Sequence, residues 1–93
     1  MVTQDEARLK RLSMRSWRRG TKEMDLILGP FSDSELGKLN DAELELYEGL
    51  LNENDQDLYP WITARSRGEA PGPTEFVALL DRIAAFSLNR LRR

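Results

Sequence analysis

The sequence predicts an all-α protein, a small bundle of about five helices folded as a single domain over residues 1–93. Three observations carry that reading. Leucine occurs fifteen times, whereas valine, isoleucine and threonine together occur nine times. No stretch sustains the apolar/polar alternation of a half-buried strand, while apolar residues recur at i, i+3, i+4 and i+7 in several windows. Glycine, proline and capping residues then punctuate the chain at helical intervals.

The first helix spans Thr3 to Ser16, with Leu9 and Leu12 on its inner face and Ala7 beside them. Gly20 breaks the chain, since a residue without Cβ permits the backbone angles that join two helices. The second helix starts near Thr21 and aligns Met24, Ile27, Leu28 and Phe31 in one stripe. Gly29-Pro30 falls inside it; proline removes a donor and crowds the preceding turn, so a kink or a stop is expected, with a restart over Ser32 to Lys38. Asn40 is an N-cap and Glu43 the N3 partner of a capping-box start to the third helix, Asp41 to Asn52. Its apolar residues Leu44, Leu46, Tyr47, Leu50 and Leu51 cover a wide face, as in a helix touched from two sides. Asp55 or Asp57 caps a short fourth helix carrying Leu58, Trp61 and Ile62; with Asp57 as cap, Pro60 stands at N3, where no intrahelical donor is lost. Gly68 to Pro73 is a loop. Thr74 caps the last helix, which runs to about Arg90 with Phe76, Leu79, Leu80 and Ile83 inward. Its basic end, Arg90, Arg92 and Arg93, suits the negative pole of the helix dipole. Residues 1–3 and 91–93 are candidates for disorder. The aromatic residues Phe31, Tyr47, Tyr59, Trp61 and Phe76 read as core.

The inventory holds no histidine and no cysteine. This excludes thiolate nucleophiles, disulfides, Cys/His zinc sites and any Ser-His-Asp relay. A 93-residue chain has a radius of gyration of about 12 Å and room for one modest core without a deep cleft. Hydrophobic residues at 40% and charged residues at 32%, with net charge −2, belong to a soluble globular protein. No apolar run approaches the roughly 18 residues of a membrane span. The Arg-rich stretch Arg8 to Arg19 is preceded by Asp5 and Glu6, unlike an acid-poor transit peptide. The reading is an intracellular protein with its native N-terminus, cytoplasmic if bacterial and of the mitochondrial matrix if eukaryotic. The charge is strongly segregated: residues 1–22 carry seven bases against two acids, 23–57 one against eleven, and 58–93 six against three. A basic end therefore adjoins an acidic middle, which orients encounters with a charged partner.

The densest constellation is Arg15-Ser16-Trp17-Arg18-Arg19-Gly20-Thr21-Lys22-Glu23-Met24-Asp25. One reading is structural: a glycine joining two helices, Glu23 at a third helical position meeting the dipole, and a solvated basic surface. The other is a docking surface, because arginine and tryptophan are enriched at binding hot spots and a glycine leaves room for a partner's backbone.

At these residues the sequence resembles the SdhE family of small FAD assembly factors, called succinate dehydrogenase assembly factor 2 in mitochondria. The resemblance rests on an RGxxE motif, Arg19-Gly20-Thr21-Lys22-Glu23, preceded by another arginine and followed by Met24-Asp25-Leu26. A second match is Leu50-Leu51 followed by Asp55-Gln56-Asp57-Leu58-Tyr59-Pro60-Trp61-Ile62, and Phe31 also fits. It covers roughly Arg8 to Arg67; after Gly68 the match is poor. The resemblance implies a five-helix protein that binds the flavoprotein subunit of succinate dehydrogenase, in bacteria often also that of fumarate reductase, and promotes covalent attachment of FAD to a histidine of that subunit. It implies that Arg19, Gly20 and Glu23 lie on the binding surface, with Arg15, Arg18 and Asp25 as neighbours. No catalytic residue, bound cofactor or metal is expected in the chain itself, which is read as a non-enzyme, monomeric when free, with FAD attached to the partner.

Two rivals were weighed. Seven bases between Arg8 and Lys22, with Trp17, could grip phosphates as a nucleic-acid or antitoxin-type interaction protein using residues 8–22, but the acidic middle opposes a broad footprint, and no nucleic acid is expected as partner. Carboxylate pairs such as Glu43 with Glu45 or Asp55 with Asp57 would point to different faces of a helix and lack a pocket. Asn52 to Asp57 lacks the ligand spacing of a calcium loop.

Overall fold

In the computed structural model, which describes residues 4–91, the chain forms five α-helices: α1 Gln4–Trp17, α2 Lys22–Glu35, α3 Asp41–Leu51, α4 Asp55–Ala64 and α5 Val77–Leu91. There is no strand among the described residues. Of the termini expected to be disordered, residues 1–3, 92 and 93 lie outside the described residues, and Leu91 is the last residue of α5. The side chains of Arg90, Arg92 and Arg93, expected at the helix dipole, also lie outside them.

Local chemistry sets most boundaries. Thr21 is extended, and its hydroxyl accepts from the Met24 N–H, which starts α2. The helix does not stop at Pro30 but continues to Glu35. The acceptor that proline cannot serve is the carbonyl of Leu26, on the exposed outer face, while Leu28, Gly29, Phe31 and Ser32 are buried and hold the inner face in register. A 3-10 turn, Leu36–Lys38, follows, and Leu39 returns the chain to extended geometry. The capping box at α3 forms as expected: Asn40 Oδ1 accepts from the Glu43 N–H at 2.8 Å, and Glu43 Oε1 accepts from the Asn40 N–H at 2.9 Å.

Three expectations are corrected downstream. Asn54, rather than Asp55 or Asp57, occupies the N-cap of α4, without a side-chain bond. Pro60 therefore lies inside the helix rather than at N3; it is tolerated because Gln56, whose carbonyl it cannot serve, faces solvent. Thr74 is the first residue of a 3-10 turn, Thr74–Phe76, that precedes α5, and Pro73 rather than Thr74 stands at its N-cap. Between these elements a 3-10 turn, Arg65–Arg67, ends at Gly68, whose φ of 80° requires glycine. Arg65 donates to the carbonyls of Trp61 at 2.6 Å and Pro71 at 3.0 Å and pairs with Asp81 at 2.6 Å, tying the loop to α4 and α5.

One core cluster joins all five helices, from Leu12 through Met24, Leu28, Phe31, Tyr47, Leu50 and Leu58 to Leu80 and Ile83. The radius of gyration is 12.8 Å, close to the expectation from length. Phe31 stacks on Tyr47 with centroids 5.8 Å apart and meets Phe86 edge-on at 5.7 Å. The Tyr47 hydroxyl is 2.6 Å from Ser16 Oγ, which also lies 2.7 Å from the Leu12 carbonyl, so the buried polar atoms of α1 and α3 satisfy one another. Burial pushes the Tyr47 phenol up to about 12, against the opposing pull of the Ser16 bond, Arg19 and Arg15. Two residues read as core are not: Leu46 and Tyr59 are exposed, Tyr59 by 41%. Leu9, Ile27 and Trp61 are partly buried against the cluster.

Candidate functional site

The four residues between α1 and α2 make a corner that the α3–α4 turn buttresses. Arg19 turns inward. Its Nε donates to Asp55 Oδ1 at 2.8 Å, Nη1 to the Leu51 carbonyl at 2.6 Å and Nη2 to the Glu53 carbonyl at 2.7 Å. The guanidinium thus sits where α3 ends and α4 begins, capping carbonyls at the negative pole of α3 and pairing with the first residue of α4. Both partners are nearly buried, the Arg19 side chain being 11% and the Asp55 side chain 12% exposed. Asp55 Oδ2 also accepts from the Gly20 N–H at 3.1 Å and the Thr21 hydroxyl at 3.4 Å. Asp25 Oδ1 accepts from the Arg19 N–H at 2.6 Å. Three side chains, Arg19, Asp25 and Asp55, therefore fix the path of the chain through the corner.

Gly20 and Glu23 face outward. Gly20 is not among the glycines with positive φ, which are Gly68 and Gly72. The expectation that it supplies special backbone angles is thus corrected. A Cβ on Gly20 would meet only Asp55 Oδ2, at an ordinary 3.8 Å. The fold itself does not demand a glycine there. Glu23 stands at N2 of α2, behind the Thr21 cap, so Met24 rather than Glu23 takes the capped N3 position. The Glu23 side chain is exposed and overhangs a shallow groove completed by Thr21, Asp55, Gln56, Tyr59 and Pro60. A second open groove runs over Gly20 and the α3–α4 turn.

The flanking residues divide in the same manner. Arg15 donates from Nη2 to Asn52 Oδ1 at 2.8 Å, and Arg18 is exposed. Trp17 lies across α2: its Nε1 donates to Asp33 Oδ2 at 3.2 Å, and its ring covers Gly29 so closely that a Cβ there would fall 2.3 Å from Trp17 Cδ2. That indole clasps α1 to α2 and still leaves 40% of its surface exposed. Sequence reasoning took Asp55 as a candidate helix cap and Tyr59 as core, and placed neither at this corner. Their signal was present in the Asp-x-Asp-Leu-Tyr segment, which folds directly against the RGxxE segment.

The corner offers hydrogen-bonding and charged groups on a hydrogen-bonded frame, in grooves open to solvent. Among the described residues no group of acidic side chains is arranged to hold a metal ion, and no helix is long and apolar enough to cross a membrane. This arrangement suits recognition of a surface.

Residues 10–87 match the family described as "Flavinator of succinate dehydrogenase". The chain is 40% identical over 84 residues to the FAD assembly factor SdhE of Pseudomonas putida, covering 89% of this chain and 96% of the relative. It is 37% identical over 95 residues to the FAD assembly factor SdhE of Photobacterium profundum, covering 99% and 98%. To the mitochondrial succinate dehydrogenase assembly factor 2 of Saccharomyces cerevisiae it is 40% identical over 82 residues, covering 86% of this chain and 50% of the relative. The chain thus spans about half the length of the yeast relative. With five helices, an RGxxE corner and a match over most of its length, the chain belongs to the family of flavinators of succinate dehydrogenase.

Proposed function

We propose that this protein is an assembly factor that binds the flavoprotein subunit of succinate dehydrogenase, and of fumarate reductase where that enzyme is present, and promotes covalent attachment of FAD to a histidine of that subunit. Family membership supports the reading. The observation that carries it to particular residues is Gly20, an exposed glycine that neither backbone geometry nor packing requires. A partner surface pressed against it supplies a reason for the missing side chain. Glu23 provides the charged contact, Arg18 flanks it, and Arg15, Arg19 and Asp25 position the corner.

The chain has no histidine to receive the flavin. In this reading it is not an enzyme, holds no FAD of its own and is monomeric when free; acceptor, flavin and reaction belong to the partner. Binding one conformation of the flavoprotein better than another holds the acceptor histidine and the isoalloxazine in attack geometry, with leverage limited to that difference in binding energy. The setting is the bacterial cytoplasm or the mitochondrial matrix. The test mixes purified protein with apo-flavoprotein and FAD and follows in-gel flavin fluorescence. Folded Gly20→Arg and Glu23→Ala variants are expected to lose most of the stimulation. Full stimulation by either would take that residue out of the mechanism.

A further inference from the structure

On α1, Arg11, Met14 and Arg15 follow one another at i, i+3 and i+4, and Arg18, the first residue past the helix, extends the same face to about 10 Å, away from the side that buries Leu12 and Ser16. With Arg19 and Leu51 they line a groove open to solvent. Met14 lies in it 44% exposed. The other arginines with described side chains, Arg8, Arg19, Arg65, Arg67 and Arg82, each have a carboxylate at 2.6–3.8 Å. Among the described residues Arg11, Arg15 and Arg18 have none; Arg15 is held by the neutral Asn52 amide. Residues 23–57 carry eleven acids, yet the fold brings none of them onto this stripe.

We propose that the stripe Arg11, Met14, Arg15 and Arg18 is a docking surface for an acidic segment of the protein partner, two carboxylates flanking an apolar side chain. Guanidinium groups grip carboxylates in fork geometry, and the apolar side chain covers the exposed Met14. A nucleic acid fits less well. The groove has no aromatic platform for a base, because Trp17 is laid over Gly29. Glu53, in the α3–α4 turn beside it, repels an extended polyanion. The inference rests on the reading that the chain docks on a flavoprotein, and it adds the chemistry of the segment that is gripped.

The test measures binding of the purified chain to apo-flavoprotein at about 0.1 M and 1 M salt, between which the Debye length falls from roughly 10 Å to roughly 3 Å. The double variant Arg11→Glu/Arg18→Glu is expected to bind about tenfold more weakly at low salt, mainly through slower association, with the difference shrinking at high salt. Circular dichroism shows that the variant is folded. An unchanged affinity and salt dependence, with Gly20→Arg still abolishing binding, overturns the stripe and leaves the function intact. If the wild type itself does not bind the flavoprotein, the function reading fails, and a labelled peptide alternating Glu and Leu decides the stripe alone. Saturable binding of that peptide, lost in the double variant, supports it. No binding, or tighter binding of a single-stranded oligonucleotide, overturns it.

Discussion

Replacing Asp55 by alanine tests whether the arginine of the RGxxE motif is built into the fold. The substitution removes Oδ1, which faces both Nε and Nη2 of Arg19 at 2.8 Å, and Oδ2, which accepts from the Gly20 N–H. The guanidinium keeps only the Leu51 and Glu53 carbonyls. Removing one partner of a buried pair costs about 3–5 kcal/mol, and the slight exposure of this pair places it near the lower end, about 3 kcal/mol. A chain of 93 residues has roughly 5–14 kcal/mol of total stability, so the loss is large and Tm falls by roughly 12–24 °C. Urea unfolding followed by far-UV circular dichroism gives the difference, and a cycle with Arg19→Ala isolates the pair. We expect a coupling above about 1.5 kcal/mol. Arg67→Ala, at an exposed pair with Glu69, should change stability by less than about 0.5 kcal/mol. A coupling under about 0.5 kcal/mol for Arg19 and Asp55 would refute the argument and return the Arg19 guanidinium to the partner-facing surface.

Three further outcomes follow from the same geometry. Gly20→Ala should remain within about 1 kcal/mol of wild type in urea, since its Cβ meets nothing closer than 3.8 Å, while flavin incorporation drops; a variant that unfolds would give Gly20 a structural role instead. Gly29→Ala drives a Cβ to 2.3 Å from the Trp17 ring, so stability should fall by about 1–3 kcal/mol and much of the loss should be recovered in Trp17→Ala/Gly29→Ala. Tyr47, with its phenol raised from 10.0 to about 12, keeps its proton in the native state where the unfolded chain has lost it. Its contribution is therefore complete below about pH 10 and is lost as pH rises to about 12, on the order of 2–3 kcal/mol. Comparing urea midpoints of wild type and Tyr47→Phe from pH 9 to 12 checks this, and equal slopes would contradict it.

Helices were legible because their signals are local. The Met24, Leu28, Phe31 stripe and the Asn40–Glu43 capping box need no knowledge of neighbours, and both fold as read. What the sequence concealed was tertiary. Proline reads as a breaker at Pro30 and Pro60, but the carbonyls it has no N–H to serve belong to the exposed residues Leu26 and Gln56, and packing of the inner face decides. Leu46 and Tyr59 fit the apolar spacing and are exposed all the same, because a stripe wide enough for two neighbours is not filled along its whole width. At the corner the sequence hid how the residues of the RGxxE segment divide between inward and outward positions. Nothing in Arg19-Gly20-Thr21-Lys22-Glu23 reveals that its arginine points inward, since the carboxylate that turns it stands 36 residues away at Asp55.

That division bears on how the proposed assembly factor can influence a reaction on its partner. A docking surface that must be ordered on contact loses part of its binding energy to that ordering, whereas one held in place beforehand keeps it for discriminating between partner conformations. Gly20 sits on a short connection between helices, a kind of segment that is ordinarily mobile, and Glu23 in the first turn of the helix that follows it. Here the connection is held by Asp25 at the Arg19 N–H, by Asp55 at the Gly20 N–H, and by the guanidinium clamp on the α3–α4 turn. The buried charges fix the shape, and in the proposed function the exposed groups are left to read the partner. A variant that loosens the clamp without unfolding the protein should therefore weaken flavoprotein binding even though the exposed Gly20 and Glu23 are untouched.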